Sequence, residues 1–406
     1  MANETEKTEE NLNYAFKSNK EIYDKIFQRF NISRKTHFSG SSPPEIFVGR
    51  FGYPFVNAGI LSPEEYGDTE EMSLPELWHE RDFDISRIIS LRGKLIYGRF
   101  KTNVKGLQQE RRFVGLMKEI SLATKPVSVE VFLKKAPKAS FNVDSHMPII
   151  GNPAPLEKAR IEENIKTEKK IEYLTGDTNV KAVEAIKEMY KGNVKVSNIM
   201  KVLSAGLLGR KLVRKLVPTR WSITAVDDSL SKHLLGKIRF YPEISEIIVF
   251  NSYYLGNHYE FLLLPDKFSF EVIEAKMPSS VWNPSEQLYL AIDYEGFNGR
   301  KSYAGNVTGA YYANRLAFAE YLEKIKRQAS CLVMRECRPE YYAPCGVGIL
   351  REASRAAFRE KPERFPSIET ALESIGKRLK LPVSVFGKNS LVLKEHKKQT
   401  RLVNWI

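Results

Sequence analysis

Residues 246–277, EIIVFNSYYLGNHYEFLLLPDKFSFEVIEAKM, decide how the fold is read. Three apolar and aromatic runs, too short for helices and rich in β-branched side chains, read as successive strands. The loop at 293–306, DYEGFNGRKSYAGN, leads into a long helical pattern, VTGAYYANRLAFAEYLEKIKRQA, and then into a buried-type strand, SCLVMREC. Upstream, GLQQERRFVGLMKEISLA reads as a helix, and VSVEVFL alternates with period 2 as a strand does. The prolines of MPIIGNPAPLEKARI, residues 147–161, suggest a wrapped connection or hinge. Strand clusters mixed with helices, without an internal repeat, predict an α+β fold. Its parts would be a mixed sheet core with surrounding helices, a helical basic segment and a flexible C-terminal tail.

The chain has 406 residues and a formal charge of +14. A hydrophobic content of 42% supports a real core, so wholesale disorder is excluded. The cationic surplus points to anionic partners, nucleic acid above all. Three cysteines, Cys331, Cys337 and Cys345, show neither zinc-knuckle spacing nor the pairing of a disulfide framework. The start lacks an apolar signal core, and no apolar run is long enough to span a bilayer. A soluble cytoplasmic protein with no membrane partner is the expectation.

The sharpest charge asymmetry lies at 191–220. This segment contains Lys191, Lys195, Lys201, Arg210, Lys211, Arg214, Lys215 and Arg220, and no Asp or Glu. KAVEAIKEMY and VSNIMKVLSAGLLGRKLVRKL read as two helices joined by the turn KGNVK, the second running through this segment to residue 216. Lys201, Arg210, Lys211, Arg214 and Lys215 are the candidate nucleic-acid contacts. Ser222 is placed as the N-cap of the following helix, with Arg220 beside an amide-rich helix start that attracts anions.

A second set of residues suits chemistry on phosphates: Arg220, Asp227, His258, Glu260, Glu274, Asp293, Glu295 and Arg300. Paired carboxylates can act as a base or hold a divalent ion, and arginines can take developing phosphate charge. Metal-assisted phosphoester or nucleotide processing would follow. The same residues serve equally in plain capping and surface ion pairing, so no metal ligands are assigned and no cofactor is named. SGSSPPEIFVGRFGYP shapes a tight turn; if Arg50 is exposed beside Phe51 and Tyr53, it suits stacking on bases or contact with phosphate.

The chain ends in KKQTRLVNWI. One 3₁₀ turn brings Gln399, Leu402 and Trp405 to one side, with Ile406 flanking them. The pattern Gln-x-x-aliphatic-x-x-aromatic-hydrophobe resembles the PCNA-interacting peptide, so the expected partner is the PCNA sliding clamp. In the competing reading Trp405 closes the protein's own core.

From about Phe38 to Ile406 the chain resembles the archaeal Nre family, NreA type. The resemblance rests on FSGSSPPEIFVGRFGYP, LLGRKLVRKLVPTRWSITAVDDSLSKHLL, YLGNHYEFLLLP, DYEGFNGRKSYAGNVTGAYYANRLA, RPEYYAPCGVGILREA and the terminal peptide. It implies a role in repair of DNA damage, acting with PCNA on DNA, and leaves any reaction open. Two readings follow: a clamp-recruited repair enzyme that uses the residues above, or a non-catalytic adaptor that bridges PCNA and damaged DNA. The expected organisation is an arm at 1–9, an N-terminal domain at 10–285, a C-terminal domain at 286–392 and the tail at 393–406. Many relatives carry a four-cysteine zinc finger before GSSPP. The corresponding stretch here has no cysteine, so no zinc role carries over.

Overall fold

The computed structural model describes residues 33–105, 111–138, 146–283 and 285–398. They form two compact units that divide at Leu230/Ser231, with Pro344–Gly348 returning to the first. The sequence predicts a boundary at 285/286, whereas the compact units part within a helix at Leu230/Ser231. As expected, the fold is α+β, with a mixed six-stranded sheet in each unit.

In the first unit the strands are β1 (His37–Ser42), β2 (Ile46–Val48), β3 (Phe55–Ser62), β4 (Ile96–Asn103), β5 (Val127–Leu133) and β6 (Asn152–Ile161), in the order β1-β5-β6-β4-β3-β2. Helices α1 (Pro75–Glu80), α2 (Ile85–Gly93), α3 (Arg111–Leu122), α4 (Lys169–Gly176), α5 (Ala182–Lys191) and α6 (Val196–Ser204) accompany them. The alternation of VSVEVFL does its work here. Val129, Val131 and Leu133 join Ile60 and Phe100 in a core that Met117 and Ile120 of α3 complete.

The expected hinge is strand β6, which lies between β5 and β4. Asn152 donates its N–H to Leu95 on one side. Pro153 and Pro155 turn to the other side, where only their carbonyls are used, accepting from Lys138 N at 3.3 Å and Lys134 N at 2.9 Å. A proline is tolerated where no N–H is needed. The helix expected to reach residue 216 stops at Ser204, because Gly206 (φ 71°) and Gly209 (φ 101°) turn the chain. A Cβ on Gly206 would come within 2.6 Å of the Lys215 carbonyl, so the loop closes on itself at a point only glycine allows.

Helix α7 (Thr219–Ile238) carries the division between units. It starts earlier than expected. Ser222 is not its cap: the hydroxyl donates back to Thr219 O within the first turn.

The second unit has β7 (Ile247–Tyr254), β8 (Asn257–Leu264), β9 (Ser269–Lys276), β10 (Tyr289–Glu295), β11 (Ser330–Cys337) and β12 (Glu363–Phe365), in the order β10-β9-β11-β8-β7-β12. Helices α8 (Gly309–Ile325), α9 (Val347–Ala357), α10 (Ile368–Gly376), α11 (Ser384–Asn389) and α12 (Leu391–Lys398) complete it. The β7–β8 hairpin turns at Leu255 (φ 50°) and Gly256 (φ 76°), both left-handed, as a tight two-residue hairpin turn requires. Strand β11 inserts between β8 and β9, antiparallel to the first and parallel to the second. One face of the sheet meets α10, α11 and α12 through Leu262, Ile273, Met334, Phe386 and Val392. The other meets α8 through Phe270, whose ring lies 5.2 Å from Tyr311 and 5.8 Å from Phe318. With both faces covered, β8 and β11 are buried throughout.

Residues 393–398, expected to begin the flexible tail, belong to helix α12. Buried Glu271 holds its start, accepting from Ser390 Oγ (2.6 Å), Leu391 N (2.9 Å) and Val392 N (3.1 Å). Burial nonetheless raises the pKa of this carboxyl. No helix among the described residues is long and apolar enough to cross a membrane. The three cysteines are buried free thiols. Burial raises the pKa of each, that of Cys337 to about 11.

Candidate nucleic-acid interface

The β2–β3 connection projects aromatic side chains outward. Gly52 (φ 77°) allows the turn, in which Phe55 N donates to Gly52 O at 2.8 Å and Val104 N to Pro54 O at 2.9 Å. Phe51, Tyr53 and Phe55 are all exposed, Phe51 by 67%. The Arg50 guanidinium sits 4.5 Å above the Phe51 ring. Tyr53 meets the first turn of α7, its ring centroid 5.1 Å from that of Trp221, which is 45% exposed. Lys215 Nζ donates to Tyr53 Oη at 3.0 Å. Two aromatic faces and a cation therefore share one exposed place, although they come from distant parts of the chain. Stacking on bases beside a phosphate contact uses the same ingredients.

The five candidate contacts in the basic segment separate by environment. Arg210, Lys211 and Lys215 are exposed. Arg214 is half-buried and committed to the backbone, donating to Gly209 O (2.7 Å), Thr175 O (2.8 Å) and Asp177 O (2.6 Å). Lys201 is buried, and its ammonium has no hydrogen-bond partner among the described residues. Burial lowers its pKa, against the opposing pull of Glu45, Glu76 and Glu70. It does not share the exposed surface.

The residues considered for a reaction fall into separate groups. In the second unit, the β11 register sets Met334 opposite Glu260 and Arg335 opposite Glu274, so the two glutamates occupy opposite faces of the sheet. They therefore cannot act as a pair in one cleft. Glu260 takes a two-pronged contact from Arg378 Nε (2.7 Å) and Nη2 (2.9 Å), with His258 Nε2 at 2.8 Å. The bond to Glu260 raises the Arg378 pKa. Glu274 pairs with Arg335, itself held by Asn257. Asp293 and Glu295, two residues apart on β10, do share a face. Asp293 accepts from the amides of Asn306 (3.0 Å) and Val307 (2.8 Å) and pairs with Arg300 at 2.9 Å. Glu295 pairs with buried Arg315 at 3.0 Å and accepts from Arg300 N. Arg300 also donates to Tyr294 O and Tyr303 O. The glycine-rich loop is thus wrapped around its own ion pairs. In the first unit, Asp227 is buried and Arg220 half-buried on α7. Among the described residues no three His, Cys, Asp or Glu side chains gather as a metal site would need.

Trp221, central to the exposed surface, is not among the sequence candidates; the signal available for it is an aromatic residue directly after Arg220, at the end of the acid-free segment. Gln399, Leu402, Trp405 and Ile406 lie outside the described residues.

These features define an α+β protein of two sheet-centred units, with an exposed basic and aromatic surface on the first. Sequence comparison makes the class specific. The archaeal Nre N-terminal family model matches residues 17–283, and the archaeal Nre C-terminal model matches 295–405. DNA repair protein NreB of Archaeoglobus fulgidus is 38% identical over 92% of this chain and 93% of its own length. DNA repair protein NreA of the same organism is 37% identical, covering 83% and 84%. NreA of Haloferax volcanii is 34% identical, covering 85% and 83%. The chain belongs to the archaeal Nre family. No solved structure matches it.

Proposed function

We propose that this protein acts in DNA repair as a bridge, holding DNA on the first unit and the PCNA sliding clamp through its terminal peptide. The repair role comes from relatives that carry that name across most of their length. The observation that carries the DNA contact is the Lys215–Tyr53–Trp221 group, whose lysine belongs to the segment 191–220 with its eight cations and no acid. The clamp contact is read from Gln399, Leu402, Trp405 and Ile406, with basic Lys397, Lys398 and Arg401 to steer toward an acidic rim.

Bridging is favoured over a clamp-recruited phosphoester or nucleotide enzyme by one observation. The four candidate carboxylates of the second unit, Glu260, Glu274, Asp293 and Glu295, are already engaged by arginines and, for Asp293 and Glu295, backbone amides. Anisotropy titrations of labelled DNA at several salt concentrations test the first contact; affinity should fall steeply as salt rises. Calorimetry with purified clamp tests the second, with the intact chain binding and a chain lacking 399–406 silent. Absence of salt-dependent DNA binding, or clamp binding that survives the deletion, would refute the corresponding half.

A further inference from the structure

The segment 209–215 has a feature that phosphate binding alone does not need. Leu212 is 98% exposed and Val213 68%, at the tip of a 3₁₀ turn spanning Lys211–Val213. Placing two aliphatic side chains in water is unfavourable, and a soft loop would fold them inward. Here the loop is braced. The three carbonyl contacts of Arg214 tie its base to the end of α4 and to Gly209. Lys211 N donates to Thr178 O (3.0 Å) and Leu216 N to Val104 O (2.7 Å), while Leu216 itself is buried. Gly206 lies so close to Lys215 that the neck admits no side chain. The tip is therefore a rigid apolar knuckle, flanked by exposed Arg210, Lys211 and Lys215. Through Lys215 it continues into the Tyr53–Trp221 group.

An apolar wedge ringed by cations fits a duplex better than an acidic protein groove. The cations take phosphates on either side, and the aliphatic tip enters where base pairs can part. We infer that Leu212, backed by Val213, is a wedge that inserts at a base step of duplex DNA. It then favours steps whose stacking is already weakened by a mismatch or a missing base. Tyr53 and Trp221 receive a displaced base beside it. This rests on the DNA-holding reading above and adds the kind of DNA held. Opening an intact step costs unstacking free energy, much of which a damaged step has already lost, so the preference originates in the DNA.

The test compares the full chain with a Leu212→Ser, Val213→Ser double variant on three labelled duplexes: intact, mismatched and abasic, each with 2-aminopurine beside the central step. Both side chains are exposed, so the fold should survive, as circular dichroism checks. The wild type should bind the damaged duplexes about tenfold tighter than the intact one and brighten 2-aminopurine. The variant should keep intact-duplex affinity and its salt slope, and lose both the preference and the fluorescence change. A variant that keeps the preference overturns the wedge while DNA holding stands. A wild type that binds DNA without any preference does the same. If neither protein binds DNA, the DNA-holding reading fails and takes the wedge with it. Vesicles containing anionic lipid are the control for a different surface: binding to them that needs Leu212, with no variant effect on DNA, overturns the assignment.

Discussion

The basic loop of the first unit and the ion pairs of the second handle charge in opposite ways, although the first unit has a buried pair of its own in Arg92 and Glu45. On the first, Arg210, Lys211 and Lys215 stand in solvent, Lys215 against the exposed Tyr53 ring. In the second, arginines are turned inward: Arg315 and Arg335 are almost fully buried against Glu295 and Glu274. The same residue types therefore do different work. An exposed cation costs little and remains available to an outside anion, whereas a buried pair is bound up in holding the sheet and its helices together. The candidate polar residues within the apolar strands are drawn into ion pairs inside the second unit.

Glu295→Ala is the harshest test of that contrast. It strands the Arg315 guanidinium in the interior, and loss of one partner of a buried pair costs about 3–5 kcal/mol. Urea denaturation should show a drop of that size, with DNA binding by the folded fraction unchanged. A Glu295→Gln protein of normal stability that failed in repair would instead restore a chemical role. Changes on the first unit should behave the other way round. Trp221→Ala should leave the unfolding midpoint nearly unchanged but weaken DNA binding by about 1–3 kcal/mol for the stacked base. Lys215→Ala should lower the slope of log affinity against log salt by about 1, as expected for one lost phosphate contact. Anisotropy across a salt series reads both.

Lys201 sharpens the comparison within the basic segment itself. Its pKa is lowered from 10.5 by burial. Between that lowered value and 10.5 the unfolded chain holds the extra proton, so wild-type stability rises with pH through this window. Lys201→Met removes the titration. The variant should be more stable at neutral pH by about 1 kcal/mol, the gap should close as pH approaches 10.5, and DNA affinity should stay the same. A loss of DNA affinity without a change in stability would return Lys201 to the surface set.

What could be read from the chain follows from how local each signal was. VSVEVFL, the β7–β9 runs and SCLVMREC carry their burial in their own composition, and each forms the strand expected of it. Strand β6 was hidden because its prolines argue locally against a sheet. Only the neighbours reveal that Pro153 and Pro155 need no N–H. The basic segment stood out by charge, but nothing in it distinguishes Lys201 from Lys215; what separates them is which side of α6 and its loop meets the core. Glu260 and Glu274 fall on opposite faces through a register that differs by one residue, and register belongs to the pairing rather than to either strand.

The smallest effect concerns the helix that leads to the terminal peptide. Tyr294 Oη donates to Glu395 Oε2 at 2.5 Å near the end of α12, beside the Asp266–His396 pair. Tyr294→Phe keeps the ring and removes only the hydroxyl. Val392 and Leu393 stay in the core, and Glu271 still holds the start of the helix. The loss should be about 1 kcal/mol or less, the ordinary net value of one such bond. Amide exchange at residues 391–398 should quicken while the urea midpoint barely moves. If Tyr294→Phe instead costs as much as Glu295→Ala, the end of α12 is as much a strut as the buried pairs. The contrast would then no longer separate a rigid interior from the part of the chain proposed to reach outward.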